Sequence, residues 1–367
     1  MPADRIENMS NKVGIGVIGT GFARKVQLPA FANCEGAEIV SIASGSLANA
    51  KSAAREFDAE HFTADWRETV SHPGVDLVCM TTPPNLHREM VLFALDNQRH
   101  IIAEKPMAMN AAEAEEMKQA ADDTNVLALI DHELRFQPGR QRAYAMIRDG
   151  QIGRIRHAKY NFRAPHRGDG SLPWNWWSDV EQGGGALGAI NSHIIDSFNW
   201  FLGNEISSVF CQLQTHVKRR PFEDGLREVT TDDEANMIVR FADGELTDDA
   251  TGLVSVSMVE QPEYLNRIEF FGTEGAIRID HRGELFTGKN GDAEWTAIDV
   301  DLGSPIAGAA DTGFSRAFNL FAPRIIDAMI KGENYIEHAA TFEDGLKVQR
   351  VLDAARESNA TGRMIML

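Results

Sequence analysis

The chain has 367 residues, with 36 Lys and Arg against 54 Asp and Glu, a net charge of −18 and 43% hydrophobic residues. That length fits two domains, the apolar content excludes disorder as the dominant state, and the acidic balance excludes nucleic acid as a partner. No stretch approaches the ~20 apolar residues of a membrane span. Met1 to Lys12 show no secretion signal. Three scattered cysteines (Cys34, Cys79, Cys211) lack a CxxC pair, which fits a reducing, cytoplasmic setting without disulfides or a metal site.

The first third alternates strand and helix patterns. Val13–Ile18 reads as a strand ending in glycines, and 23–33 as a helix in which Pro29 forces an early end or a kink. A strand follows at 38–43 and a short helix after Asp65, with Glu68 as a box partner. Strand 75–81, helix 86–97 capped by Asn85, strand His100–Ala103, helix 110–124 and strand 126–131 complete the series. Such alternation implies βαβ units and a parallel sheet. After a helix at 139–147 the pattern becomes β-rich, at Ile155–Arg163, 209–216, 235–242, 253–259, 268–271 and 276–279. Hairpin-type connections at Asp243-Gly244 and 272–275 suggest a mostly antiparallel sheet. The tail returns to helix at 342–358, and 299–312 is the expected mobile loop. The expected fold class is α/β, with a Rossmann doubly wound domain over 1–133. An α+β domain with a large open sheet follows over 134–367.

Four segments carry chemistry. Gly19-Thr20-Gly21-Phe22-Ala23-Arg24 follows the first strand. Gly19 permits the tight turn and Gly21 a close approach of backbone to a pyrophosphate. The third fingerprint position is Arg24 rather than glycine, so Ala23 takes the close-packing role and Arg24 is placed to reach phosphate. The second strand ends in Ser44-Gly45-Ser46, without the carboxylate that selects NAD, which mildly favours NADP. Thr82, Pro83, Asn85 and His87 leave a strand's carboxyl end and should border the cofactor. In Glu104-Lys105-Pro106 the proline holds Lys105 extended at another strand end, where an ammonium can hydrogen-bond a reacting hydroxyl.

Further on, strand alternation would put Asp131, Glu133 and Arg135 on one side and His132 on the other, with Glu133 and Arg135 as candidate substrate contacts. Trp174, Trp176 and Trp177 read either as buried anchors or as a sugar-stacking wall. Arg163, His166 and Arg167 are candidates for gripping polar or acidic groups.

The Gly19-Thr20-Gly21, Thr82-Pro83-Pro84-Asn85-Leu86-His87 and Glu104-Lys105-Pro106 segments together resemble the Gfo/Idh/MocA oxidoreductases. So do Gly183-Gly184-Gly185-Ala186-Leu187, Ser192-His193-Ile194-Ile195-Asp196, the 270–275 strand and turn, and the 341–346 helix start. The resemblance implies a Rossmann domain and a second domain whose open sheet face makes homodimers or homotetramers. It implies hydride transfer between NAD or NADP and a sugar or polyol, with Lys105 and His193 as the catalytic pair. The family commonly carries Asp four residues before that histidine and Gly two before it. Here these positions are Ala189 and Asn191, and Asn191 becomes a candidate for orienting a substrate hydroxyl. The same departure fits a retired nucleotide-binding sensor. A third reading is NAD-assisted glycosidase or lyase chemistry. Neither a membrane nor a nucleic acid is an expected partner.

Overall fold

The computed structural model describes residues 12–367, so the Met1–Lys12 reading lies, up to residue 11, outside the described residues. The first unit is a parallel sheet of β1 (Val13–Ile18), β2 (Ala37–Ala43), β3 (His61–Thr63), β4 (Leu77–Met80), β5 (His100–Ala103) and β6 (Ala128–Ile130). Their order across the sheet is β6-β5-β4-β1-β2-β3, the doubly wound arrangement with its reversal between β1 and β4. All six residues of β1 are buried, as a central strand covered on both faces requires.

The helices of this unit are α1 (Gln27–Ala32), α2 (Leu47–Glu56), α3 (Trp66–Ser71), α4 (His87–Asp96) and α5 (Ala111–Asp122). Their starts follow capping chemistry: Asp65 accepts the Arg67 N–H at 3.0 Å and Asn110 the Glu113 N–H at 3.0 Å. The helix expected over 23–33 begins only at Gln27. The Ala23 carbonyl takes the Leu28 N–H five residues on, at 2.8 Å, so 22–26 is a wide turn. Pro29 then falls in the first helical turn, where no N–H is needed, and it neither ends nor kinks the helix. Asn85 does not cap α4, because Pro84–Leu86 forms a tight turn that feeds directly into it.

The second unit contains α6 (Pro138–Arg148), β7 (Ile155–Arg163), α7 (Ser192–Leu202), β8 (Ile206–Gln214) and a separate hairpin of β9 (Arg219–Phe222) with β10 (Gly225–Glu228). It continues through β11 (Glu234–Phe241), β12 (Thr247–Ser257), β13 (Leu265–Gly272), β14 (Gly275–Ile279), β15 (Leu285–Lys289) and β16 (Thr296–Ile298). The last elements are α8 (Gly313–Lys331), β17 (Ala340–Thr341), α9 (Phe342–Thr361) and β18 (Ile365–Met366). Nine strands form one sheet, in the order β16-β15-β14-β13-β7-β12-β11-β8-β18. Every pairing in it is antiparallel except β12 with β7. The alternating burial of β11, β12 and β13 leaves one face on the α7 core and one outward, where Ile238 and Leu253 sit opposite each other at 50% and 43% exposure.

The tail returns to the first unit. β17 pairs antiparallel with β6, extending the first sheet to seven strands, and α8 packs its Phe318, Phe321 and Ile325 into the core around Val13, Ile15 and Phe31. Phe136 stacks on Phe321 with ring centroids 4.1 Å apart. The apolar stripe of α8 buries itself against the β1–β2 side of the first sheet, so residues far along the chain belong to the first core.

Candidate active site

The crevice at the β1/β4 reversal is lined first by the Gly19 turn. Gly19 has φ +97°, and a Cβ there would stand 2.6 Å from the Thr81 hydroxyl and 2.7 Å from the Thr81 carbonyl. Only glycine fits. Thr81 in turn donates to the Gly19 carbonyl at 2.9 Å. A Cβ on Gly21 would meet nothing within 4 Å, and among the described residues the Gly21, Phe22 and Ala23 amides find no acceptor. An open cradle of free N–H donors fits the pyrophosphate of a dinucleotide. The cradle is the 19–23 turn itself rather than a helix start, since α1 begins four residues later.

Around it, the Thr20 and Ser44 hydroxyls lie 3.3 Å apart across the ends of β1 and β2. Ser46 caps α2, accepting the Asn49 N–H at 3.4 Å. Arg24 is ion-paired with Glu56 on α2. Thr82, Pro83 and Asn85 sit at the mouth of the β4 loop, with Asn85 exposed. His87, expected at the border of the cofactor, is enclosed by protein. It is fully buried, and its two ring nitrogens bind the carbonyls of Thr82 at 2.9 Å and Met107 at 3.2 Å, which makes it a strut between two loops.

Lys105 and His193 are brought together from the two units. The Lys105 ammonium donates to the Ala189 carbonyl at 3.3 Å, four residues before His193, and lies 5.9 Å from the Phe22 ring centroid beside the glycine turn. The segment Leu187–Asn191 is a wide π turn running directly into α7. It places the Ala189 carbonyl at Lys105 and His193 in the first turn of α7. His193 is 4% exposed and packs on Phe314 at 5.2 Å between centroids. Burial drives its pKa well below the ordinary histidine value, with the Lys105 charge the next cause and His132 after it. The imidazole is therefore neutral at pH 7.

Behind this pair lies a sealed cluster of three carboxyl groups. Glu104, Asp131 and Glu133 are 6%, 0% and 0% exposed. Gln27 bridges the first two, donating at 3.2 Å to Glu104 and 2.7 Å to Asp131. Lys105 stands 3.7 Å from Glu104, and Glu133 lies 4.0 Å from the His193 Nδ1. Burial raises all three pKa values. For Asp131 the next causes are the charges of Glu133 and Glu104, and for Glu133 that of Glu104. One nearby ammonium cannot balance three carboxylates, so burial and mutual repulsion favour the protonated form within the cluster. Gln27, in the otherwise apolar run QLPAFA, was the one local hint of this cluster.

The expected alternation over 131–135 fails, because β6 stops at Ile130 and Glu133–Phe136 forms a tight helical turn. That turn sends Glu133 and His132 toward His193, with the His132 and His193 Nδ1 atoms 3.5 Å apart. Arg135 is not a substrate contact: it forms a buried two-point ion pair with Asp196, at 3.0 and 2.5 Å, and reaches Asp344 at 3.2 Å. Glu133 and Asn191 are likewise absent from the cavity wall, each wholly buried, and neither Asn191 amide atom has a partner among the described residues. Arg163 is removed from the candidates by its ion pair with Glu260.

Beside the pair opens a cavity of about 760 Å³, whose lining includes neither Lys105 nor His193 but reaches them through Phe22, next to Lys105, and Phe314, packed on His193. Its floor is Gly21, Phe22, Ile190 and Phe314, and its far wall includes Trp176, Trp177, Tyr264, His281 and Arg167. Trp177 therefore lines the cavity. Its placement comes from the glycine run, since a Cβ on Gly184 would stand 2.5 Å from the Trp177 carbonyl. Tyr264, His281 and Phe314 gave no local signal, because they arrive from β13, the turn after β14 and α8. No cluster of metal-ligating side chains is found among the described residues.

Comparison with known proteins agrees with this geometry. Residues 13–132 match the model of an oxidoreductase family with an NAD-binding Rossmann fold, and 140–278 match the GFO/IDH/MocA C-terminal domain. Levoglucosan dehydrogenase of Pseudarthrobacter phenanthrenivorans is 30% identical over 305 residues, covering 74% of this chain and 75% of that protein. The glucose-fructose oxidoreductase domain-containing protein 2 of Xenopus laevis is 28% identical over 95% of this chain and 92% of its own length. The structure of a levoglucosan dehydrogenase in complex with NADH and levoglucosan superposes with a TM-score of 0.86 at 27% identity, over 97% of this chain and 99% of that one. The glycine cradle, the Lys105–His193 convergence and these matches lead to one conclusion: this chain belongs to the Gfo/Idh/MocA family of NAD-binding oxidoreductases.

Proposed function

We propose that the protein is an NAD-dependent dehydrogenase of a sugar- or polyol-like CH–OH group. The observation that carries this is the meeting of Lys105 and the neutral, buried His193 beside an open dinucleotide cradle and a cavity of sugar size. NAD⁺, when bound, supplies the hydride acceptor. His193 accepts the hydroxyl proton, and the Lys105 ammonium hydrogen-bonds the same oxygen as negative charge develops on it. Neutral His193 is competent as a base because burial and Lys105 both resist its prior protonation. Trp177 offers an aromatic face for a sugar ring. The levoglucosan dehydrogenase relatives, solved with NADH and with levoglucosan or L-sorbose, support the substrate class.

NADP is accepted as well, because the end of β2 carries Ser44 and Ser46 and no carboxylate to repel a 2′-phosphate. Arg24 would first have to exchange its Glu56 partner. The outward row of Phe210, Ile238 and Leu253, in register on β8, β11 and β12, supports a homodimer or homotetramer through the open sheet face. No helix among the described residues is long and apolar enough to cross a membrane, which is compatible with a cytoplasmic enzyme.

The test is nicotinamide absorbance, with NAD⁺ or NADP⁺, against levoglucosan, L-sorbose, glucose and myo-inositol, sugar acids and sugar phosphates. Turnover that persists at the wild-type rate in both Lys105→Ala and His193→Ala would sink the assignment. Binding of NADH without turnover of any substrate would favour a sensor instead.

A further inference from the structure

The cavity wall carries a positive charge with no carboxylate at ion-pair distance among the described residues, only the more distant Asp233 acting on it. Arg167 follows β7, lines the cavity, and stacks its guanidinium 4.5 Å from the Trp177 ring centroid. Its one side-chain hydrogen bond goes to the Ser178 hydroxyl at 3.4 Å, and among the described residues no carboxylate stands within ion-pair distance. Directly behind it is Arg220, 1% exposed, which donates to the carbonyls of Asp169 at 2.8 Å and Arg167 at 2.5 Å. The Arg220 Nε is buried without a partner, and this guanidinium too lacks an ion pair among the described residues. Lys25 and His166 line the same cavity, and its one acidic lining residue, Asp311, is already paired with Arg316 and Arg282.

Two adjacent guanidiniums without a direct ion pair are costly in any protein, and here they occur in a chain of net charge −18, where acids outnumber bases. A guanidinium cannot shed its proton at physiological pH, so the charge persists until a ligand answers it. Its planar fork matches a carboxylate or phosphate in two-point geometry. Burial and Arg220 both press on Arg167, lowering its pKa to about 10, which leaves it charged at neutral pH.

We propose that the substrate is an anionic carbohydrate, and that Arg167, backed by Arg220, grips its carboxylate or phosphate while the carbinol carbon faces Lys105 and His193. The proposal rests on the dehydrogenase reading above and narrows its substrate class. Phe22, Ile190 and Phe314 then hold the apolar ring face, and the hydroxyl to be oxidised lies at the end of the cavity away from the anionic group.

The experiment is a binding titration by tryptophan fluorescence on the protein saturated with NADH, since Trp176 and Trp177 line the cavity. D-gluconate and D-glucuronate probe the carboxylate, glucose 6-phosphate the phosphate, and glucose and levoglucosan the neutral class. The expected result is that at least one acidic ligand binds tenfold or more tightly than its neutral counterpart. Arg167→Gln collapses that ratio toward one, Arg167→Lys retains part of it, and Arg227→Gln, which removes an exposed charge outside the cavity, leaves it unchanged. Equal affinity for neutral and acidic sugars in the wild type, no binding by any acidic ligand, or an unaltered ratio in Arg167→Gln overturns the proposal. Failure is separable from failure of the dehydrogenase reading: oxidation of neutral sugars alone sinks the anion grip and keeps the dehydrogenase. Absence of both NADH binding and turnover sinks the dehydrogenase reading.

Discussion

The two walls of the cleft solve the same problem in opposite ways. Behind Lys105, three carboxyl groups are buried against one ammonium, and burial raises the pKa values of Glu104, Asp131 and Glu133, which favours relief of the excess charge by proton uptake. Behind Trp177, the half-buried Arg167 and the buried Arg220 have no carboxylate at ion-pair distance among the described residues, Asp233 acting only from farther away, and guanidinium has no neutral form within reach. The acidic wall can therefore adjust itself by proton uptake, whereas the basic wall keeps its charge for something that enters the cavity. The lesson is that unpaired buried charge has a different meaning by residue type. In carboxyl groups it signals a proton store, and in arginines it signals a ligand.

The sharpest way to break this contrast is at the junction of the acidic wall with the chemistry. Lys105→Ala or His193→Ala should lower kcat by about 10²–10⁴-fold on a verified substrate, the range of a positioned acid–base group. NADH affinity, measured by fluorescence, should change far less, because the dinucleotide cradle is built from the Gly19 turn. Next in size is the buried ion pair of Arg135. Arg135→Ala strands the Asp196 and Asp344 carboxylates, and the expected loss is about 3–5 kcal/mol in denaturant unfolding. A loss under about 1 kcal/mol would mean that the pair behaves as an exposed one.

A smaller effect follows from the neutral histidines packed between the walls. His132 is pushed down to about 4, chiefly by burial, and His193 lies well below its ordinary value for the same reason. A depressed folded-state pKa means that the unfolded chain binds the proton first. Stability is then complete above the unfolded value of about 6.5 and is lost as pH falls from there toward 4, by about 1.4 kcal/mol per pH unit for each histidine. The raised carboxyl pKa values of Glu104, Asp131 and Glu133 act in the opposite direction, so the check is the difference between wild type and His132→Gln in thermal melts from pH 7 to pH 5: the wild type should lose more stability on acidification than the variant. The smallest expected effect is on the basic wall. Ser178→Ala removes the single hydroxyl near Arg167 and should cost about 0.5–1.5 kcal/mol of stability. The preference for acidic ligands should remain, because the charge and its fork are untouched.

Much of the fold could be read before the structure because its signals are local. Val13–Ile18, His100–Ala103 and Ile155–Arg163 are strands over the ranges their composition indicates. Gly19 marks a turn whose backbone conformation few other residues adopt, and Gly21 leaves its mouth open. The misses have physical causes. α2 is built from alanine and polar residues with little apolar stripe, so Leu47–Glu56 carried no periodic signal. α8 follows a Gly- and Ala-rich stretch, and its role in the first core depends on contacts across some 300 residues of chain. His87 looked like a cofactor residue because it stands at a strand's carboxyl end, but its two nitrogens are consumed by loop carbonyls. Glu133 and Arg135 were assigned by a strand alternation that ends at Ile130, three residues too early.

Hydrophobic periodicity and turn glycines, read along the chain, determined the doubly wound first unit and the β-rich second unit, and the Glu104-Lys105-Pro106 segment marked Lys105 as a candidate. The tertiary structure alone decided which charges have partners. Arg135 finds Asp196 across 61 residues, Gln27 finds Asp131 across 104, and Arg167 finds no carboxylate among the described residues. The reason is physical: backbone preferences act within a turn or two, whereas the balance of a buried charge depends on which distant segments the core brings within a few ångströms of it.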